Sequence, residues 1–342
     1  MIQDIFPHVF HNEYIQKKPS ADSLFLFYDG NQILLRTTVP GLDPKEATLV
    51  PESNTPGSYI PGSNTPGSNT SESQVPEIDF FTCAMIRALL PAAADYIESN
   101  SIYLFAIDNQ DFFLFADLQQ KDPERQAPSH EELTGYLMAQ ANAAADGSRA
   151  ELKPLSILRS AIPRHLAFAG ITGHQLHTWY QSRRFCGKCG MPLRHSEKER
   201  MMYCEHCHTM EYPVICPAVI VAVTHGDRLL LTKYEGRDYK RYALIAGYGE
   251  IGETIEETVH REVMEEVGLK VKNIRYYKSQ PWSFSGTLLL GFFCELDGSD
   301  AITLDREELS TAVWFNRDDI PDDHENVSLT WEMMRLFKTS RQ

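Results

Sequence analysis

Two runs of apolar residues near the start of the chain are each broken by a short polar turn. Ser23 to Thr37 reads SLFLFYDGNQILLRT, with Asp29-Gly30-Asn31 between the apolar halves, and predicts a β-hairpin. Ser101 to Leu118 repeats the arrangement around Asp108-Asn109-Gln110-Asp111. From Pro163 the pattern becomes helical, with Leu166, Phe168, Leu176, Trp179 and Tyr180 available for packing. A third hairpin is predicted from CPAVIVAVTH, starting at Cys216, through Gly226-Asp227 into RLLLTKY. Arg241-YALIAG leads into a helix, and further strands are expected at Val271 to Gln280, Thr287 to Leu296 and Thr311 to Asn316, with a last helix from about Ser328.

One helix stands out among these elements. Thr254 is placed as an N-cap with Glu257 three residues on, the spacing of a capping box. Ile255, Val259 and Val263 form an apolar stripe, and Gly268 can take the left-handed conformation that ends a helix. Glu262, Glu265 and Glu266 then share one side as i, i+3 and i+4 neighbours. Like charges at those spacings repel by ~0.2–0.5 kcal/mol per pair. Such a cluster is either a solvated acidic face or a cradle for a hard divalent cation, and helix geometry leaves both open.

Between the first two hairpins lies PESNTPGSYIPGSNTPGSNTSESQVPE, residues 51–77, in which PGSNT units repeat. It offers almost nothing apolar to offset the entropy of ordering and reads as a disordered insertion. The whole chain has 342 residues, 42% hydrophobic and 23% charged, enough for two or three soluble domains. No run of 18 uncharged apolar residues occurs, and the N-terminus shows no basic-then-apolar secretory pattern, so no membrane partner is expected. A net charge of −15 argues against nonspecific binding to long polyanions, though bound cations would reverse the field locally for a small phosphorylated ligand.

Four of the seven cysteines form two CxxC pairs, Cys186/Cys189 and Cys204/Cys207, 14 residues apart. That spacing reads as a closed four-thiolate Zn²⁺ site, a zinc ribbon, architectural because it leaves no open coordination position. A redox dithiol explains the doubled knuckle less well, and the acidic balance weighs against a ribbon that reads nucleic acid. Cys83, Cys216 and Cys294 read as buried free thiols, a usage suited to a reducing compartment and hence the cytoplasm.

The stretch Gly247–Leu269, GYGEIGETIEETVHREVMEEVGL, resembles the Nudix hydrolase signature at every fixed position. The resemblance implies an α/β/α sandwich with a mixed sheet that hydrolyses a nucleoside diphosphate linked to another moiety. It implies Mg²⁺ or Mn²⁺ on Glu262 and Glu266, the carbonyl of Ala246, and Glu265 as ligand or base. Arg261 is expected to orient the glutamates, and Glu253 to fix the junction of loop and helix. Glu308, in Asp305-Arg-Glu-Glu-Leu309, matches the additional metal-binding glutamate of one branch of the family.

That branch, the NADH pyrophosphatases, is also marked by an SQPWPFPxS motif. Here Ser279, Gln280, Pro281, Trp282 and Phe284 match, Ser283 and Ser285 replace prolines, and Thr287 replaces a serine. Losing two φ-fixing residues predicts a more mobile loop. The resemblance places Gln280, Pro281, Trp282, Ser283, Phe284, Ser285, Gly286, Thr287 and Tyr212 at the substrate, with Glu199 as a candidate contact; Arg159, just before the connecting helix, is a candidate for a phosphate on its charge alone. Flat rings such as Trp282, Phe284, Tyr248 and Tyr212 suit the bases of a dinucleotide. The expected substrate is NAD(H), with NAD-capped RNA 5′ ends and other dinucleotides or nucleotide sugars as alternatives, and a non-catalytic nucleotide sensor as a different class. A homodimer is implied too. The expected architecture is α+β: a β-rich domain over 1–163, a connecting helix and zinc ribbon over 164–212, and the Nudix domain over 213–342.

Overall fold

The computed structural model describes residues 1–38, 75–116, 129–144, 148–236, 241–322 and 327–340. Two compact units emerge: Phe10–Ala167, and Met1–Val9 together with Phe168–Gln342. The PGSNT repeat falls outside the described residues; of the stretch 51–77 only 75–77 are described, and there Glu77 forms a bridge to Ile162.

In the first unit the strands are β1 Phe10–His11, β2 Leu24–Leu26, β3 Tyr28–Asp29, β4 Gln32–Thr38, β5 Phe81–Thr82, β6 Ser101–Ile107, β7 Gln110–Phe115 and β8 Ser148–Pro154. They form two sheets, ordered β1-β6-β7-β2-β5 and β3-β4-β8. The hairpin expected from Ser101 is present, with Asp108 taking φ +52° in its turn. The one expected from Ser23 is only partly so. Tyr28–Asp29 pairs with Gln32–Ile33, but Leu24–Leu26 runs into the other sheet, parallel to β7. Leu24 to Tyr28 is buried without alternation, so it can bridge two sheets where a two-faced strand could not. Helices α1 Cys83–Leu89, α2 Ala94–Ser99 and α3 His130–Ala143, unforeseen in a β-rich reading, pack around Phe25, Phe27, Phe81, Phe113 and Phe115.

Helix α4, Arg164–Ser182, buries the five apolar residues expected of it and leads into a small three-stranded sheet. Its strands are β9 Arg194–His195, β10 Met202–Tyr203 and β11 Met210–Glu211. Next come β12 Cys216–His225, β13 Arg228–Tyr234, β14 Ile245–Tyr248, α5 Ile255–Val267, β15 Val271–Trp282, β16 Thr287–Leu296, β17 Leu309–Asn316 and α6 Leu329–Thr339. The larger sheet is ordered β15-β16-β12-β13-β17, with β14 paired to β12. It is mixed, because β12 and β16 are parallel while the other pairs are antiparallel.

Strand β12 is the middle of this unit. Val219, Val221 and Val223 pack toward α5, while Ile220 and Ala222 pack toward α6. Its unbroken apolar run is what a strand covered on both faces requires. β13 pairs with β12 only at Thr224 and His225, then departs to β17. The vacated edge at Ala218–Val221 is taken by β14. That exchange carries the glycine turn to the outer end of β12, beside α5.

Two expectations are corrected here. Cys83 and Cys294 are buried as expected, but Cys216, at the exposed beginning of β12, is not. Gln280 lies inside, 0% exposed, facing α6. Its amide nitrogen donates to the Val327 carbonyl and to Gln3 Oε1, both at 3.0 Å, and its oxygen accepts from the Leu329 N–H at 2.7 Å. The amide therefore ties the first turn of α6 and the N-terminal residues to the sheet. Gln280→Leu leaves two buried backbone groups without these partners, at about 1–3 kcal/mol each. Urea unfolding should show a loss of about 2–6 kcal/mol in this variant.

Candidate active site and cysteine cluster

Helix α5 forms as its sequence predicts. The Thr254 hydroxyl accepts from the Glu257 N–H at 3.2 Å, and Glu257 Oε2 accepts from the Thr254 N–H at 2.7 Å. Gly268 closes the helix at φ +67°. Val259, Val263 and Val267 enter the core, and Glu262 and Glu266 are drawn into burial beside them. Glu265 stays exposed at the edge of the same side. Burying two carboxylates is costly unless charge or hydrogen bonds compensate, so their placement is not that of a solvated face.

Arg261 supplies part of the compensation. Its Nε and one Nη bind Glu253 bidentately at 2.6 and 3.0 Å. The other Nη reaches Glu262 Oε1 at 2.7 Å and Glu265 Oε2 at 3.0 Å, and a last N–H donates to the Tyr248 carbonyl at 2.8 Å. All five guanidinium donors are committed. Arg261 holds the Glu253 carboxyl down at about 2. Burial pushes Glu262 above the usual carboxylate range, opposed by Arg261 and reinforced by the charges of Glu265 and Glu308.

Glu308 thus lies within electrostatic reach of Glu262, although it is exposed and distant in sequence. Its segment is tied to α5 by the Asp305 N–H, which donates to the Glu266 carbonyl at 3.0 Å. On the other side, Gly247 backs directly onto Glu262. A Cβ built there would lie 1.8 Å from the Glu262 carboxyl carbon. The absent side chain is therefore the cradle for that carboxylate. Ala246 precedes it in β14. Hard oxygen donors against a backbone cradle fit a hard divalent cation. Among the described residues, these carboxylates do not gather as tightly as the four cysteine sulfurs do, which is in keeping with their mutual repulsion.

The loop from β15 to β16 sorts its residues by depth. Gln280, Ser283 and Thr287 are buried, Trp282, Phe284 and Gly286 are half-buried, and Pro281 and Ser285 are exposed. The rings of Trp282 and Phe284 pack 4.9 Å apart, and Tyr248 is exposed. Gln280 therefore faces the fold and not a ligand, which corrects the expectation that it reads substrate. In the small sheet, the Tyr212 hydroxyl donates to Glu199 at 2.8 Å, joining two expected contacts. Arg159 ends a short 3₁₀ turn, Leu155–Arg159, in the first unit.

Cys186, Cys189, Cys204 and Cys207 bring their sulfurs within 4.8 Å of one another. The two knuckles are alike. The Gly190 N–H donates to the Cys186 carbonyl, and the His208 N–H to the Cys204 carbonyl. Both donors take the left-handed conformation, at φ +74° and +59°. The sequence marked the first of these turns by its glycine; His208 gave no such signal. Four soft thiol donors gathered this way suit a tetrahedral metal ion.

Comparison with known proteins places names on these regions. Residues 215–337 match the family model described as NUDIX domain, and residues 181–212 match the NADH pyrophosphatase zinc ribbon domain. A protein called NAD-capped RNA hydrolase NudC, from Salmonella schwarzengrund (strain CVM19633), is 45% identical over 149 residues, covering 44% of this chain and 58% of that protein. Its namesake from Citrobacter koseri is 44% identical over the same share of each chain. The chain thus spans under two thirds of the length of these curated relatives. A crystal structure of a NUDIX hydrolase from Nitrosomonas europaea aligns with 45% of this chain and 90% of its own, at 24% identity and a TM-score of 0.40.

Gly247→Ala tests the cradle. The new methyl group must displace the Glu262 carboxylate while leaving helix α5 and its caps in place. The expected result is unchanged far-ultraviolet circular dichroism and a loss of roughly tenfold or more in Mn²⁺ affinity by calorimetry, as for other residues that orient metal ligands.

Proposed function

From a NUDIX domain behind an NADH pyrophosphatase zinc ribbon, we propose that this chain is an NAD(H) diphosphatase. It splits NAD(H) with water into nicotinamide mononucleotide, oxidised or reduced, and AMP. The observation that carries this reading is the Arg261-centred carboxylate cluster, seated against Gly247, in a chain that also bears the Ser279–Thr287 motif.

Glu262, Glu266 and Glu308, with the carbonyl of Ala246, hold Mg²⁺ or Mn²⁺, and Glu265 serves as a ligand or as the base. The bound cation supplies charge neutralisation on the diphosphate and an acidified water. Arg261 touches no substrate; it keeps Glu262 and Glu265 turned toward the site and keeps Glu253 at the junction of loop and helix. Trp282, Phe284, Tyr248 and Tyr212 offer stacking surfaces for the bases, with Glu199 setting the Tyr212 ring. Zn²⁺ on the four cysteines holds the small sheet. The free thiols support a reducing compartment, the cytoplasm. The exposed run of Tyr212, Val214 and Ile215 supports a homodimer.

Removal of NAD caps from RNA is the second reading, supported by the name of the curated relatives. Both readings require the same bond to be cut, and the net charge of −15 favours the small substrate. A broader diphosphatase or a sensor that binds without cutting makes less use of the full carboxylate set.

Incubation of the enzyme with NADH and Mg²⁺, followed by chromatography, should release AMP, and its absence with both NADH and NAD⁺ would sink the proposal. Glu266→Gln keeps the size of a buried side chain and removes its charge. Turnover should fall by on the order of 10²-fold or more while the fold persists. Cys186→Ser should instead release zinc and lower the melting temperature, because a structural zinc contributes folding energy directly. Unchanged metal content and melting in that variant would refute the ribbon assignment.

A further inference from the structure

Tyr248 and Thr287 lie on strands that flank β12 on opposite sides. Tyr248 in β14 is in register with Ala218, and Thr287 in β16 with Cys216. Ala218 and Cys216 are two apart, so all four side chains project from one face of the sheet. Two strand spacings put the β14 and β16 backbones about 9–10 Å apart. Only a long side chain ending in a polar group can bridge that width, and Tyr248 does so, with its hydroxyl 3.3 Å from Thr287 Oγ1. Thr287 Oγ1 is in turn 2.8 Å from Ser285 Oγ and 3.4 Å from the Ser285 carbonyl.

The depths of these groups differ. Tyr248 is 53% exposed, whereas Thr287 is 4% exposed. A buried hydroxyl cannot present itself to a bound dinucleotide, but it can hold a ring that does. We propose that Thr287 is a positioning residue that acts through Tyr248. Its hydroxyl accepts from the tyrosine and donates to Ser285, fixing the ring as the stacking surface for a base. Each hydroxyl has a single proton, and this assignment gives the tyrosine and threonine protons one acceptor each. The loop end of the chain is itself anchored. The Ser285 N–H donates to the Trp282 carbonyl at 3.2 Å, and the Gly286 carbonyl accepts from the Cys216 N–H at 3.0 Å. Ser285 stands where the NADH pyrophosphatase motif has proline. A hydroxyl tie thus takes over from a fixed φ in setting the loop.

This inference rests on the NAD(H) reading, and its test separates the two. Tyr248→Phe keeps the ring and deletes only its bond to Thr287, while Thr287→Val keeps the β-branched shape and deletes that bond together with the ties to Ser285. Each single variant should raise the KM for NADH about five- to tenfold, the worth of one hydrogen bond, with a much smaller change in kcat and no change in melting temperature. The double variant should be no worse than Thr287→Val alone, because that change already removes the bond Tyr248→Phe deletes. Thr287→Ser, which restores the hydroxyl, should return KM to within about twofold of the wild type. KM effects that multiply in the double variant would show that Thr287 touches substrate independently and overturn the proposal. So would a Thr287→Val enzyme equal to the wild type, or a Thr287→Ser enzyme as poor as Thr287→Val. A wild-type enzyme that releases no AMP from NADH defeats the parent reading and this one together; wild-type hydrolysis with any of the other failures defeats this one alone.

Discussion

The site is built around one guanidinium. Carboxylates brought to one side of a helix and half withdrawn from water repel each other and lose hydration, and both effects oppose folding. Arg261 offsets part of this by spending every donor within the cluster, on Glu253, Glu262, Glu265 and the Tyr248 carbonyl. Lysine could not do so, having one compact charge in place of a planar fork. The same residue ties the helix to the glycine turn, since Glu253 and Tyr248 lie on the turn side and Glu262 and Glu265 on the helix. The Thr258 hydroxyl adds a further tie between them, donating to Glu253 at 2.9 Å.

That arrangement depends on the way β12 divides its edge. The departure of β13 toward β17 opens the pairing positions that β14 occupies, and β14 delivers Gly247 against Glu262. Because β12 is covered on both faces, the two faces can serve different ends. The α5 face carries the carboxylates, and the α6 face carries the Tyr248–Thr287 tie and the buried amide of Gln280. A single strand thereby positions two chemically separate halves of the proposed site.

What could be read in the sequence follows how local the physics is. The caps of α5, its apolar stripe, the cysteine knuckles and most strands of the second unit depend on neighbours within a few residues, and they appear where expected. Depth depends on partners far along the chain, and there the reading failed. Gln280 sits in a motif linked to substrate, yet its partners Val327 and Leu329 are nearly fifty residues away and turn it inward. Cys216 looked buried because it heads an apolar strand, but the strand's first residues stand clear of the core. Leu24 to Tyr28 has no alternation to reveal that it would be shared between two sheets. Glu308 could be recognised from its motif, but its electrostatic reach to Glu262 exists only once Asp305 is bound to the end of α5.

The two lost prolines show how one sequence change admits opposite structural outcomes. Read locally, replacing a fixed φ with serine adds freedom to the chain and loosens the loop. In the folded protein, Ser285 instead enters a set of hydroxyl and backbone bonds that ends at Tyr248. Proline restrains only its own residue and the one before it, in the folded and unfolded chain alike. A hydroxyl tie acts only after β14 and β16 have been assembled on β12, and it couples the loop to the ring across the strand between them. The restraint has moved from the covalent chain to the tertiary structure, so the geometry of this loop is a property of the assembled sheet.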